Sequence, residues 1–186
     1  MVLFAHGAGS SRHSPRNRAV SETLHARALG TVLVDLVADE EEPTGAAPLG
    51  VDEQADRLAG IVDWLAGRGD TGNLPLGLFG ASTGAAAALL CAAARPGHVR
   101  AVVSRGGRPD LAGPALAALR APTLLVVGSH DEPVIELNQD ARTAMTAHNE
   151  LVIVPGASHL FSEPGTLEEV AERAADWFDT YLFADD

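Results

Sequence analysis

The sequence predicts an α/β fold: a doubly wound, mostly parallel sheet of about six strands in a three-layer αβα arrangement, formed by one domain over residues 1–186. Three observations predict it. Short apolar runs alternate with helix-patterned stretches six times along the chain. The runs are apolar at nearly every position, as in strands buried on both faces of a parallel sheet. The residues able to do chemistry collect just after those runs, at the strand ends where such sheets bind ligands. A chain of 186 residues is long enough for one real core and too short for two comfortable ones.

The elements follow in order. Val2 to Ala5 is the first strand, and His6-Gly7-Ala8-Gly9-Ser10-Ser11 is a glycine-rich loop. Ser14-Pro15 reads as an N-cap with proline at the first helical position, opening a helix that runs to about Leu29 and stops at Gly30. Thr31 to Leu36 is the second strand. Residues 39–50 form a surface loop, with Glu40-Glu41-Glu42 as a solvated charge cluster. Val51 to Leu65 is a helix whose apolar face carries Ala55, Leu58, Ile61, Val62 and Leu65. Leu76 to Phe79 is the third strand, and Ala85 to Ala94 the helix after it. Val99 to Ser104 is the fourth strand, with 105–109 a loop and Pro114 to Leu119 a short helix. Thr123 to Val127 is the fifth strand, followed by a helix from Ile135 to Ala147, and Leu151 to Val154 is the sixth. The last helix carries Leu167, Val170, Ala174, Trp177 and Tyr181 at steps of three and four, a stripe that seals the core.

Thirteen basic against 25 acidic residues give a formal charge of -12. Nucleic acid and anionic membranes both need a basic face, so neither is expected as a partner. No apolar run reaches transmembrane length, and Met1 to Ala5 lacks the basic leader of a signal peptide. The single cysteine, Cys91, cannot form an internal disulfide, which suits a reducing cytoplasm; within an alanine-rich helix it reads as a small buried residue. His13, His25, His98 and His148 are scattered without metal-ligand spacing, so no metal is expected, and no cofactor. His6 reads as structural and His130 as a second-choice base.

Gly80-Ala81-Ser82-Thr83-Gly84 joins the third strand to its helix. A serine on such a turn is lifted clear of the sheet, and the helix aims free N–H groups and its positive dipole end at whatever binds there. A serine hydroxyl needs a base, which His159 after the sixth strand can be. The imidazole needs a carboxylate to fix its tautomer, which Asp131 after the fifth strand can supply. The N–H groups of Ala8 and Thr83 can together hold an oxyanion. Arg12, Arg105 and Arg108 are expected on loops along the same edge, where they would favour a substrate bearing a carboxylate or phosphate.

With HGAGS at 6–10, SPRN at 14–17, GASTG at 80–84, GSHDEPV at 128–134 and PGASHLF at 155–161, the chain resembles the α/β-hydrolase superfamily, and within it the small capless dienelactone-hydrolase-like branch. The resemblance implies a minimal form of that fold and hydrolysis through an acyl-enzyme. Namesake enzymes of the branch have cysteine as nucleophile and this chain has Ser82, so the resemblance does not extend to dienelactone hydrolysis itself. The family usually carries one or two strands ahead of the His-Gly loop. This sequence begins at that loop's own strand, so the expected fold lacks the usual N-terminal strands or the natural chain starts upstream of Met1. An unprotected front strand near Met1 would invite pairing with a second copy, leaving a homodimer open. Some relatives are joined to phosphoribosyltransferase domains, which hints at such a partner.

The expectation is therefore a serine hydrolase cleaving small carboxylic esters on Ser82, His159 and Asp131. Only about 18 residues separate Ser104 from Thr123, which leaves no room for a cap and predicts an open, shallow pocket. Thioester hydrolysis or acyl transfer on the same residues, and a non-catalytic scaffold of the same fold, are the alternatives. A dinucleotide-binding reading of Gly7-Ala8-Gly9 with Asp35 fails in detail. Arg12 stands where the third glycine or alanine belongs, and the spacing to Asp35 is too long.

Overall fold

The computed structural model of the chain describes residues 1–37 and 49–183. The acidic cluster Glu40-Glu41-Glu42 and most of its loop lie outside the described residues. Thirteen elements follow one another: β1 (Val2–Ala5), α1 (Pro15–Ala26), β2 (Thr31–Leu33), α2 (Val51–Ala66), β3 (Leu76–Ala81), α3 (Thr83–Ala94), β4 (Val99–Arg105), a 3-10 turn (Pro109–Ala112), α4 (Ala115–Ala118), β5 (Thr123–Gly128), α5 (Glu132–Ala144), β6 (Asn149–Val154) and α6 (Thr166–Leu182).

The six strands form one sheet in the order β2-β1-β3-β4-β5-β6, and every neighbouring pair is parallel. The order reverses between β1 and β3, the place in such sheets where ligands bind at the carboxyl ends of the strands. Alternation along the strands sorts their side chains into two layers. Val2, Phe4, Phe79, Val103 and Val126 face α1 and α6, packing with Val20, Leu24, Val170, Ala174 and Phe178. Leu3, Leu78, Val102 and Leu125 face the other way, onto Leu58 and Val62 of α2 and Ala88 and Leu89 of α3. The result is the three-layer αβα architecture expected from the sequence.

Two close approaches need glycine or alanine. A Cβ on Gly77 of β3 would lie 2.5 Å from Cε1 of Phe178, so α6 seats its ring directly on the strand backbone. Helix α3 is rich in alanine, with Ala85 to Ala88 buried, and this small girth lets it lie close against the sheet.

Some boundaries move. β2 ends at Leu33 rather than Leu36, because beyond it the chain turns to receive His6: the Leu36 N–H donates to His6 Nε2 at 2.9 Å. α5 begins at Glu132, three residues earlier than the apolar pattern suggested, since Pro133 suits a first turn. The expected exposed front strand near Met1 is corrected: β1 is paired on both sides, by β2 and β3. Among the described residues the edge strands are β2 and β6, so pairing of β1 with a second copy has no structural basis.

Candidate active site

Ser82 is the residue between β3 and α3, and its backbone is in a strained region, φ 53° and ψ -123°. Steric reasons for the flanking glycines are visible. A Cβ on Gly80 would come within 2.4 Å of Cα of Ala85, and one on Gly84 within 2.4 Å of the carbonyl oxygens of Ala5 and His6. The chain can thus bend sharply enough to put serine at the helix start. The loop after β4 clasps this turn: Ser82 N–H donates to the Arg105 carbonyl at 3.2 Å, and Arg108 N–H donates to the Ser82 carbonyl at 3.2 Å.

Asp131 caps α5 with its backbone but not with its side chain, which is free to face across the sheet edge. Its Oδ2 meets His159 Nδ1 at 2.5 Å. With the carboxylate accepting there, Nδ1 carries the ring proton and Nε2 is left as a base. The two loops that supply this pair are laced together. His130 N–H donates to the Ala157 carbonyl at 3.0 Å, and Gly156 N–H donates to Ser129 Oγ at 2.8 Å. A Cβ on Gly128 would lie 2.3 Å from the Ala157 oxygen, so glycine is what allows the loops to touch. Ser158 N–H donates to Glu163 Oε2 at 2.9 Å, which holds the Glu163 carboxyl below its ordinary value and braces the loop next to His159. Phe161 is buried with a φ of 54°, the second non-glycine residue of this edge in the left-handed region.

The structure joins Asp131 to His159 by a hydrogen bond and sets Ser82 across the 105–108 loop from them; no hydrogen bond joins Ser82 to His159. Gly106 of that loop lies against the His159 ring: a Cβ there would come 3.5 Å from its Nδ1 and Cε1. Such contacts are often loose before substrate binds. The Ala8 N–H, expected to face an oxyanion, donates instead to Thr83 Oγ1 at 2.9 Å. The Thr83 N–H opens α3 and so has no acceptor within its helix.

The arginines do not form the expected rim. Arg12 is ion-paired with Asp35, and its N–H donates to the same carboxylate at 2.6 Å. Arg108 is paired through Nε and Nη2 with Asp110, at 2.8 and 2.7 Å. Arg105 was expected on a loop and is instead the last residue of β4, 7% exposed. It pairs with Val126 of β5 in the sheet, which extended the strand one residue past Ser104.

His6 is buried, its Nδ1 donating to the Gly7 carbonyl at 2.9 Å and its Nε2 accepting from Leu36; it fastens the glycine-rich loop to the segment after β2. Burial pushes the Cys91 thiol up to about 12, so it is an inert packing residue. Among the described residues, no three of His, Cys, Asp or Glu gather as a metal ion would require. The supporting roles of Glu163 and of Asn138, whose Nδ2 donates to the Gly107 carbonyl at 3.1 Å, carry no motif in the sequence. Their partners are backbone groups, Ser158 in Glu163's own loop and Gly107 31 residues before Asn138.

A profile of the dienelactone hydrolase family matches residues 44–183. A crystal structure of dienelactone hydrolase from Anabaena variabilis ATCC 29413 is 54% identical, with a TM-score of 0.95 over 97% of this chain and 86% of that one. Est1E from Butyrivibrio proteoclasticus with ferulic acid bound (16% identity, TM-score 0.82, 98% of this chain and 89% of that one) shares the fold. So does a monoacylglycerol lipase from Paleococcus ferrophilus (18% identity, TM-score 0.79, 96% of this chain and 93% of that one). Two curated proteins of Mycobacterium tuberculosis, from strains CDC 1551 and H37Rv, are 54% identical over 98% of the chain and bear the name phosphoribosyl transferase. The chain spans 41% of their length.

Proposed function

The chain belongs to the dienelactone hydrolase family, and from that premise we propose that it is a serine hydrolase cleaving small carboxylic esters through an acyl-enzyme on Ser82. The Asp131–His159 hydrogen bond carries the reading, since it leaves Nε2 as a base on the edge where Ser82 stands. Ser82 Oγ attacks the ester carbonyl as its proton passes to Nε2 of His159, and Asp131 stabilises the imidazolium. The new oxyanion takes the N–H groups of Thr83 and Ala8. Ala8 already donates to the Thr83 hydroxyl, so the oxyanion replaces that hydroxyl as acceptor. Each such donor is worth about 3 kcal/mol of barrier. His159 then protonates the leaving alkoxide. In the second half, water gives a proton to Nε2 of His159 and its oxygen to the acyl carbon; as the acyl–Oγ bond breaks, His159 returns that proton to Ser82 Oγ and the carboxylic acid leaves.

The 54% identity to proteins named phosphoribosyl transferase, and the chain's 41% share of their length, support a phosphoribosyl-transferring unit as its partner. The hydrolytic reading concerns this unit alone. Labelling with a fluorophosphonate tests it: the wild-type protein should take up one label at Ser82, and Ser82→Ala none. A folded wild type that takes up no label is a scaffold rather than an enzyme of this kind.

A further inference from the structure

Two arginines at this end of the sheet, Arg105 at the close of β4 and Arg16 in the first turn of α1, carry buried guanidinium nitrogens with no acceptor among the described residues. Arg105 closes β4 in register with Ala81, and Ala101 and Val103 below it point into the layer under α1 and α6. Residues two apart on a strand share a face, so Arg105 continues that column to the sheet edge. On α1, Val20 and Leu24 line the same layer, and Arg16 stands one turn before Val20 on the same helix face. The strand column and the helix column therefore both end in arginine.

Nε and Nη1 of Arg105, and Nε of Arg16, are buried and have no acceptor among the described residues. Burial, and after it the repulsion of Arg16, pulls the Arg105 guanidinium down to about 10, so it stays charged at neutral pH. Four described carboxylates along this edge are engaged elsewhere. Asp35 pairs with Arg12, Asp110 with Arg108, Asp131 with His159, and Glu163 accepts from Ser158. A buried charge with nothing to balance it is costly, and an anion is what balances it.

We propose that Arg16 and Arg105 form a subsite for an anionic group on the substrate of Ser82, and that the group is a phosphate monoester. The subsite rests on the serine-hydrolase reading for its role beside Ser82. Two unneutralised guanidinium groups match a dianion, whereas a carboxylate would leave one charge uncompensated. The first turn of the 12-residue helix α1, which contains Arg16, adds the positive end of its dipole. The substrate class is thus a phosphorylated small molecule carrying an ester at some distance from its phosphate.

Calorimetry with inorganic phosphate tests this at constant ionic strength, with acetate as the singly charged comparison. Phosphate should bind one-to-one to wild type and to Ser82→Ala. Arg16→Gln should weaken it by about tenfold or more, as loss of one charge-assisted donor group predicts, with far-UV circular dichroism unchanged. Arg105→Lys, which keeps the charge in a less demanding substitution, should bind phosphate more weakly than wild type through loss of the planar fork. Phosphate should also slow fluorophosphonate labelling of Ser82 in wild type and not in Arg16→Gln. No binding, or equal binding by wild type and both variants (an adventitious ion only), overturns the subsite. Acetate binding as tightly as phosphate overturns the dianion. Phosphate binding that needs Arg16 in a protein whose Ser82 takes no label leaves the anion site standing and removes its role in hydrolysis.

Discussion

Ser82 holds a backbone conformation that side-chain-bearing residues rarely adopt, and its neighbours compel it. Gly84 is the tightest of them: a Cβ there would meet two backbone oxygens, those of Ala5 and His6, which cannot swing aside as a side chain could. Gly84→Ala should therefore push α3 off β1 and cost at least ~1–3 kcal/mol, the usual range for overpacking. Urea denaturation will show this as a lower midpoint at unchanged slope. A midpoint equal to wild type would mean that the turn relaxes freely and that its geometry is not imposed by the glycine. Arg105 illustrates the opposite case, a buried side chain whose Nε and Nη1 find no acceptor among the described residues, as the proposed subsite requires.

At the scale of the element, the segment between β6 and α6 is the one whose conformation governs His159. It is braced at Glu163, whose carboxyl is held below its ordinary value of 4.5 mainly by the Ser158 N–H. A carboxyl lowered in the folded state stabilises the fold above its unfolded pKa, and that contribution is lost as pH falls through the folded value. Glu163→Gln keeps the shape and removes the charge. Wild type should be more stable than the variant at pH 7, and the difference should shrink as pH falls below 4.5. Urea midpoints of both proteins from pH 7 to pH 3 measure it; a difference that stays constant over that range contradicts the bracing. The helix α6 beyond this segment anchors it to the sheet through Phe178 on Gly77, so the loop is held at both ends.

In the whole molecule, the functional edge is one rim of the sheet and the described residues place little above it. Between β4 and β5 lie only the 3-10 turn and the four-residue helix α4. On the reading proposed, an acyl chain would find few walls there, so p-nitrophenyl acetate and butyrate should be turned over with higher kcat/KM than long-chain esters. A clear long-chain preference would show that a substantial apolar pocket exists. The formal charge is -12, and at the rim Arg12 and Arg108 are already paired with carboxylates, so on the subsite proposed it is Arg16 and Arg105 that would draw an anionic substrate. Among the described residues no helix is long and apolar enough to cross a membrane.

Much of this could be read from residue order alone. Strands buried on both faces must be apolar throughout, and helices covering them must be apolar on one face, so periodicity marked the six strands and the major helices. Glycines at 80 and 84 marked the turn because only glycine tolerates those contacts, and chain order placed Asp131 and His159 at strand ends on the same rim. Strand order was different. Which strand is an edge depends on pairing between segments far apart in sequence, so the interior position of β1 was not legible from its four apolar residues. Charge partners were equally hidden. Arg12, Arg105 and Arg108 look alike in the chain, yet one meets Asp35 across a loop, one meets Asp110 two residues on, and one is carried under α1 toward Arg16. The local pattern determined the fold and the turn at Ser82 because backbone sterics and burial act over a few residues. Only the tertiary structure decided which charges are balanced, because that depends on what the folded chain brings alongside them.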